Sequence, residues 1–385
     1  MTSRIRVWMI IDCLGHRSGG MELQAVTLAR TLRTMGVHVE YLADRADFSH
    51  LPVSEKSFIH EISNLPSWIP GRFAALISLY QNIWFLSRNR HHIDLIHAHS
   101  LTNGFVAGVV SKILKKPAIV KVGSAGPNGD IAKRQRTWLS GFRKKILNNL
   151  DRIIAITPEI YEELVSAGYN EKIIQIIPNG VNTNYYHPIP NTNSYVDDYE
   201  NQSIYTAICV ARFVPVKRLK LLIDAWRIIK DQLPNSKLIL IGDGPLRIDI
   251  EKQITRLSLT DSIELAGNVD QQKVIQYLHQ AKLFILPSES EGLSNAMLES
   301  LFCGVPVVTT ETEGTKYLIK EGQTGVLIRE PYDAQDLGNC VIRLFLDQNR
   351  LLKMGEEAHR DIEARFSINH VAKSYLDLYH ELLRR

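Results

Sequence analysis

The chain has 385 residues, 45% hydrophobic and 22% charged, a composition that excludes wholesale disorder. The length favours two domains, at roughly 100–200 residues each, and no run of about 18 apolar residues is present to form a simple transmembrane helix. The net charge of +4 is unevenly divided: residues 1–180 carry 22 Lys and Arg against 14 Asp and Glu, the remainder 23 against 27.

In chain order, IRVWMIID reads as a first buried strand and not as a signal peptide, because Asp12 interrupts it and no small-residue cleavage site follows. VHVEYLA, IDLIHAH, PAIVKV, RIIAIT and IIQIIP are further short β-branched runs separated by helical patterns. Residues 182–202, rich in Asn, Tyr, Pro and Asp, read as a linker. The alternation then resumes with SIYTAICVAR, SKLILIG, SIELAG, KLFILP, VPVVTT and GVLI. Continuous apolar strands between helices indicate parallel sheets covered on both faces. The expected fold is α/β, with two doubly wound Rossmann-like domains, 1–181 and 203–367, facing a central cleft. Ligands in such sheets bind beyond the carboxyl ends of the strands. Trp68–Arg90 places Phe73, Leu76, Ile77, Tyr80, Ile83 and Trp84 on one stripe, which predicts a core-facing helix; a helix lying on a membrane surface is the alternative. Residues 131–150 hold six basic residues and no acid, either a solvated face or a surface for anionic lipid or a phosphorylated acceptor. Without interleaved aromatics, nucleic acid is not the expected partner. Cys13, Cys209, Cys303 and Cys340 are scattered without a CxxC, which fits a reducing cytoplasm and predicts neither disulfides nor a zinc knuckle.

Several loops after strands carry chemistry. Gly19 and Gly20 precede a helical stretch, where backbone can approach a phosphate and helix amides are free. Gly242-Asp243-Gly244-Pro245-Leu246-Arg247 lacks the third glycine of a dinucleotide fingerprint, which argues against a nicotinamide enzyme. His97 and His99 end a strand and share a face. Arg212 ends another and Lys217 follows at the mouth of the next helix, two cations suited to a diphosphate. In PSESEGLSNAMLE, Ser294 is a good N-cap; Glu299 lies about one turn into the helix within reach of ribose hydroxyls, and Glu291 precedes it.

The glycine pair, HAH, IPNGVN, VARFVPVK, IGDGP, PSESEGLSNAMLE and GVPVV occur together in an order that resembles the retaining GT-B-fold glycosyltransferases of the family-four type. The resemblance implies that Gly19 and Gly20 approach the donor diphosphate or reacting sugar and that His99 touches the sugar near its reacting carbon. It further implies that Arg212 and Lys217 neutralise the diphosphate, Glu291 binds sugar hydroxyls and Glu299 the ribose. Gly242, Gly292, Leu293, Ser294 and Asn295 complete the donor side. Two positions depart from the family pattern: Asn182 replaces the Asp of NGVD, and Tyr317 stands where a Glu is usual after Gly314. The family also suggests that helical residues 368–385 pack back on the first domain.

The expected reaction is transfer of a hexose or N-acetylhexosamine from a nucleotide-diphospho-sugar, most simply a UDP-sugar, to an acceptor hydroxyl with retention. No cofactor and no metal are expected, since the sequence lacks DxD. The acceptor is expected to be a lipid-linked or polysaccharide-precursor glycan. The first domain would bind it through the loop after PAIVKV, with Lys121, Gly123, Ser124 and Asp130, at the cytoplasmic face of a membrane. A sugar-nucleotide epimerase and a non-catalytic nucleotide-sugar-binding partner are the competing readings.

Overall fold

A computed structural model describes residues 4–14, 20–47, 53–62, 71–124, 126, 129–135, 140–188 and 205–384. The chain divides into two compact units, one formed by residues up to Gly180 with Ile368–Arg385, the other by Val181–Ser367.

The first unit is built on seven parallel strands: β1 Arg6–Leu14, β2 His38–Ala46, β3 Ile59–Glu61, β4 Leu95–His99, β5 Ala118–Val122, β6 Arg152–Ala155 and β7 Ile174–Ile176. Their order is β3-β2-β1-β4-β5-β6-β7. The apolar runs seen in the sequence are these strands, except that β3 is too short to stand out. Alternate residues of β1, β4 and β5 face a core closed by the helices Gly20–Thr34 and Ile368–Leu383. Gln24 ties the first of these to the IPNGVN segment, donating to Gly180 O (3.0 Å) and accepting from Gly180 N (3.1 Å). Gly180 is required there, since a Cβ would stand 2.8 Å from Ile368 Cα.

The opposite face carries the helices Gly71–Arg88, Leu101–Leu114 and Ser140–Leu147, packed in that order. Trp68 lies outside the described residues. Gly71–Arg88 corrects the sequence reading at two positions, Tyr80 (67% exposed) and Trp84 (50%), while Leu86, which widens the predicted stripe, is buried as expected and Asn82 is buried beside it. Asn82 donates its amide N–H to Ser78 O (2.8 Å). Of the predicted stripe, Tyr80 and Trp84 turn outward and Ile77 and Ile83 are half-buried, while the side chains of Phe73 and Leu76 lie outside the described set. The basic stretch 131–150 divides between the helices Asp130–Gln135 and Ser140–Leu147, with residues 136–139 outside the described set.

The second unit has six parallel strands, β8 Tyr205–Val210, β9 Ser236–Ile241, β10 Ile263–Gly267, β11 Leu283–Leu286, β12 Val307–Thr310 and β13 Gly325–Ile328, in the order β10-β9-β8-β11-β12-β13. Each sheet reverses its winding once, between β1 and β4 and between β8 and β11, and such switch points open a crevice at the carboxyl ends of the strands. Of the segment expected as a linker, 182–188 are described: Asn182 Oδ1 accepts from Asn184 N (3.1 Å), a turn bond its amide oxygen makes as a carboxylate would.

Candidate functional site

At the second unit's switch point the candidate residues converge. Arg212 leaves β8, and the turn after β9 fixes its path: Phe213 N donates to Asp243 O (2.9 Å) and Leu246 N to Phe213 O (3.1 Å). Gly242 has φ +127°, and a Cβ there would stand 1.9 Å from Ala211 O, so the position accepts only glycine. Among the described residues Arg212 has no side-chain hydrogen bond or ion pair.

Lys217 ends the single turn Pro215–Lys217, which is held to the loop after β11 by Glu289 N donating to Val216 O (2.9 Å). The Lys217 ammonium pairs with Glu291 Oε1, which also accepts from Ser288 Oγ at 2.7 Å. The Glu291 side chain is only 8% exposed. Two residues the sequence assigned to different parts of a substrate therefore form one hydrogen-bonded charge unit. Gly314 holds the loop from the other side: a Cβ there would lie 2.2 Å from the carbonyl oxygens of Glu291 and Gly292, and Thr312 Oγ1 donates to Glu291 O (3.3 Å). Tyr317, on the short helix Glu313–Leu318 that also carries Gly314, packs edge-on against Phe366.

Leu293 is buried, so its side chain anchors the loop. Ser294 is the N-cap of the helix Asn295–Phe302, its hydroxyl accepting from Met297 N (3.4 Å), and the remaining first-turn amides can receive an anion. Glu299 retains some exposed surface, yet burial pushes its carboxyl up to about 7, partly offset by a hydrogen bond from Tyr186. The Tyr186 hydroxyl accepts from Gln271 Nε2 at 3.2 Å. Tyr186 lies in the stretch read as linker, and neither it nor Gln271 was singled out by the sequence.

In the first unit, Gly19 lies outside the described residues, and Gly20 opens the helix Gly20–Thr34. Its neighbour Met21 packs on Gly123, where a Cβ would stand 2.6 Å from Met21 Cε. Ser124 Oγ accepts from Asp130 N (3.1 Å), folding the loop back on itself. His99 is buried beneath this surface, its ring stacked on His97 with centroids 4.5 Å apart, and His97 Nδ1 bonds Tyr379 Oη at 2.8 Å. Burial drives His97 down to about 3 and His99 well below the usual imidazole range. Lys121 is also buried, directly across from His99 in the β4–β5 register. At the end of β1, Asp12 accepts from Asn103 Nδ2 (3.0 Å). Desolvation pushes it up to about 6, opposed by that bond and aided by the charges of Asp44, Glu22 and Asp130. Among the described residues no cluster of three or more His, Cys, Asp or Glu is arranged to hold a metal.

Two parallel-sheet Rossmann-like units with a cation-and-carboxylate site at a switch point define the GT-B class. The solved sucrose-phosphate synthase of Thermosynechococcus elongatus matches this chain with TM-score 0.80 and 21% identity, covering 99% of this chain and 100% of its own. HepE of Anabaena, solved in complex with UDP-glucose, matches with TM-score 0.79 and 19% identity over 98% and 100%. The family model for glycosyl transferases group 1 matches residues 199–361, and that for glycosyltransferase family 4 matches residues 18–185. The N-acetyl-alpha-D-glucosaminyl L-malate synthase of Bacillus anthracis is 23% identical over 369 residues, 95% of each chain. The chain belongs to the group 1 glycosyltransferases of GT-B fold.

Proposed function

We propose that this glycosyltransferase moves a hexose or N-acetylhexosamine from a UDP-sugar to an acceptor hydroxyl, with retention and without a metal. The observation that carries the reading is the gathering of Arg212, the Lys217–Glu291 pair, Glu299 and the N-terminus of Asn295–Phe302 around one loop of the second unit. Glu299 would accept from ribose hydroxyls. Arg212, Lys217 and the helix amides would face the diphosphate, stabilising negative charge as it leaves. Glu291, fixed by Ser288 and Lys217, would bind hydroxyls of the transferred sugar. The new bond joins the acceptor oxygen to the anomeric carbon on the face from which the diphosphate departs, and the acceptor proton passes to a leaving phosphate oxygen. HepE, solved with UDP-glucose, supports a UDP-sugar donor.

The test is a thermal-shift series with UDP, GDP, ADP and NAD on wild type and Glu299→Ala. A nucleotide at about 100 times its Kd stabilises the fold by about 2.7 kcal/mol. A shift with UDP that Glu299→Ala loses is expected; a shift with NAD alone would overturn the reading. Turnover of UDP-sugar in EDTA, with the product anomer read by NMR, tests metal independence and retention.

The acceptor we assign is lipid-linked, met at the cytoplasmic face of a membrane. No described helix is long and apolar enough to cross a membrane. The helices Gly71–Arg88, Leu101–Leu114 and Ser140–Leu147 together contain no Asp or Glu. They expose Tyr80, Trp84, Ile113 and Phe142 beside the basic Arg88, Lys112 and Lys145, and Arg88 lies over the Trp84 ring at 5.0 Å. Exposed aromatics among cations suit the interface of an anionic bilayer.

A further inference from the structure

The carboxyl ends of β4 and β5 carry a group of buried polar side chains, among them His99, which the resemblance sets against the transferred sugar, and Lys121, to which it gives no donor role. His97 pairs in register with Ile119 and His99 with Lys121, so the four share the sheet face covered by the helix Ile368–Leu383. Tyr375 of that helix packs against the His97 ring at 5.1 Å. Apart from the His97–Tyr379 bond, these polar groups lack partners among the described residues: His97 Nε2, both His99 nitrogens and the Tyr375 hydroxyl are buried and unbonded. Lys121 is 2% exposed, and among the described residues its ammonium meets no hydrogen-bond acceptor and no carboxylate.

Buried polar groups in folded proteins are nearly always satisfied by protein, water or ligand. Neutral His99 offers one N–H and one bare nitrogen, the Tyr375 hydroxyl can donate, and His97 Nε2 carries the proton when Tyr379 donates to Nδ1; with the Lys121 ammonium beside them, donors outnumber acceptors. On the covering helix Glu381 pairs with Arg152 and Asp377 with Lys373; Glu22, in the first turn of Gly20–Thr34, acts on Asp12, and desolvation alone acts on Lys121. An ammonium without a carboxylate repels a metal cation and attracts an anion. We infer that Lys121, His99 and Tyr375, backed by His97, form an anion site in the first unit that takes a phosphate or carboxylate group. The site sits where open parallel sheets receive ligands. Burial alone drives Lys121 down to about 7, so an arriving anion would restore its proton. The site lies wholly in the first unit and does not depend on the donor assignment.

Inorganic sulfate is a suitable probe because it does not titrate between pH 6 and 9. Calorimetric titration of the full chain at pH 8, in two buffers of different ionisation heat, should show uptake approaching one proton per sulfate. Affinity should fall up to tenfold per pH unit above about 7. Both effects should vanish in Lys121→Met, whose thermal midpoint in the absence of sulfate should equal or exceed that of wild type, which shows that the variant folds. A second reading needs no variant: sulfate should raise the wild-type midpoint more at pH 6.5 than at pH 8.5. Sulfate binding simultaneous with UDP-glucose assigns the site to an acceptor's anionic group; competition with UDP-glucose would place the sulfate among the donor's phosphate contacts and overturn the inference. Absence of sulfate binding, or binding unchanged in Lys121→Met, would overturn the inference and leave water as the partner of these groups.

Discussion

Glu299 makes donor affinity pH-dependent in a direction that can be worked out. Raising its carboxyl from the usual 4.5 to about 7 corresponds to roughly 3 kcal/mol against ionisation. The folded state therefore holds this proton more tightly than the unfolded chain, and the stability gained is lost as pH rises from 4.5 through 7. Ribose hydroxyls reverse the preference, since both donate to the ionised form. Between pH 6 and 8 the ionised fraction rises from about 0.1 to about 0.9, so affinity for UDP-glucose should tighten roughly tenfold, about 1.4 kcal/mol. UDP-glucose is the right ligand because its diphosphate, unlike that of UDP, does not titrate in this range. Calorimetry on wild type and Glu299→Gln isolates the effect: the difference between their pH profiles should carry the tenfold rise. Parallel profiles would refute the assignment of Glu299 to the ribose.

Tyr186→Phe removes the hydroxyl bonded to Glu299 and Gln271; donor affinity should fall by roughly 10- to 150-fold, as one hydrogen bond to a charged group predicts, and the affinity profile should move to higher pH. Lys217→Ala strips a cation from the leaving group and leaves Glu291 unpaired, so kcat should drop by about 100-fold or more, while full turnover would exclude it from the transition state. Gly314→Ala drives a methyl into two carbonyl oxygens and should abolish the UDP-dependent thermal shift. Trp84→Ala with Phe142→Ala should release the protein from phosphatidylglycerol vesicles without changing UDP affinity; unchanged co-sedimentation would remove the membrane from the proposal.

What the sequence revealed follows how local each signal is. Twelve apolar runs were visible because parallel strands buried on both faces need no partner to be recognised, whereas three-residue β3 has too few positions to form a pattern. Ser294 was legible as an N-cap because its bond partner, Met297, lies three residues away. Pairings across long separations were not: Lys217 meets Glu291 after 74 residues, and His97 meets Tyr379 after 282. The HAH element stood out in the sequence, and the family pattern brought the last helix back to the first unit, but the bond from His97 to Tyr379 could not be read. The Gly71–Arg88 helix misled for a different reason. Apolar periodicity identifies a face but not what covers it, and Asn82, which weakens the buried face in sequence, donates its amide N–H to Ser78 O within the helix.

Each unit holds a buried titratable group poised near neutrality, and the two have opposite signs. Glu299 is pushed up to about 7 and Lys121 down to about 7 by the same cause, burial. Donor binding through Glu299 needs the carboxylate and improves as pH rises; anion binding through Lys121 needs the ammonium and weakens. If the anion belongs to a substrate, the active form carries both charges, and kcat/KM should trace a bell centred near pH 7 with limbs of unit slope. Glu299→Gln should flatten the acid limb while leaving the alkaline one, and Lys121→Met should do the reverse. A bell that survives intact in Lys121→Met would separate the buried lysine from the reaction, and an acid limb that survives in Glu299→Gln would point to another carboxyl, of which Asp12, pushed up to about 6, is the next to test.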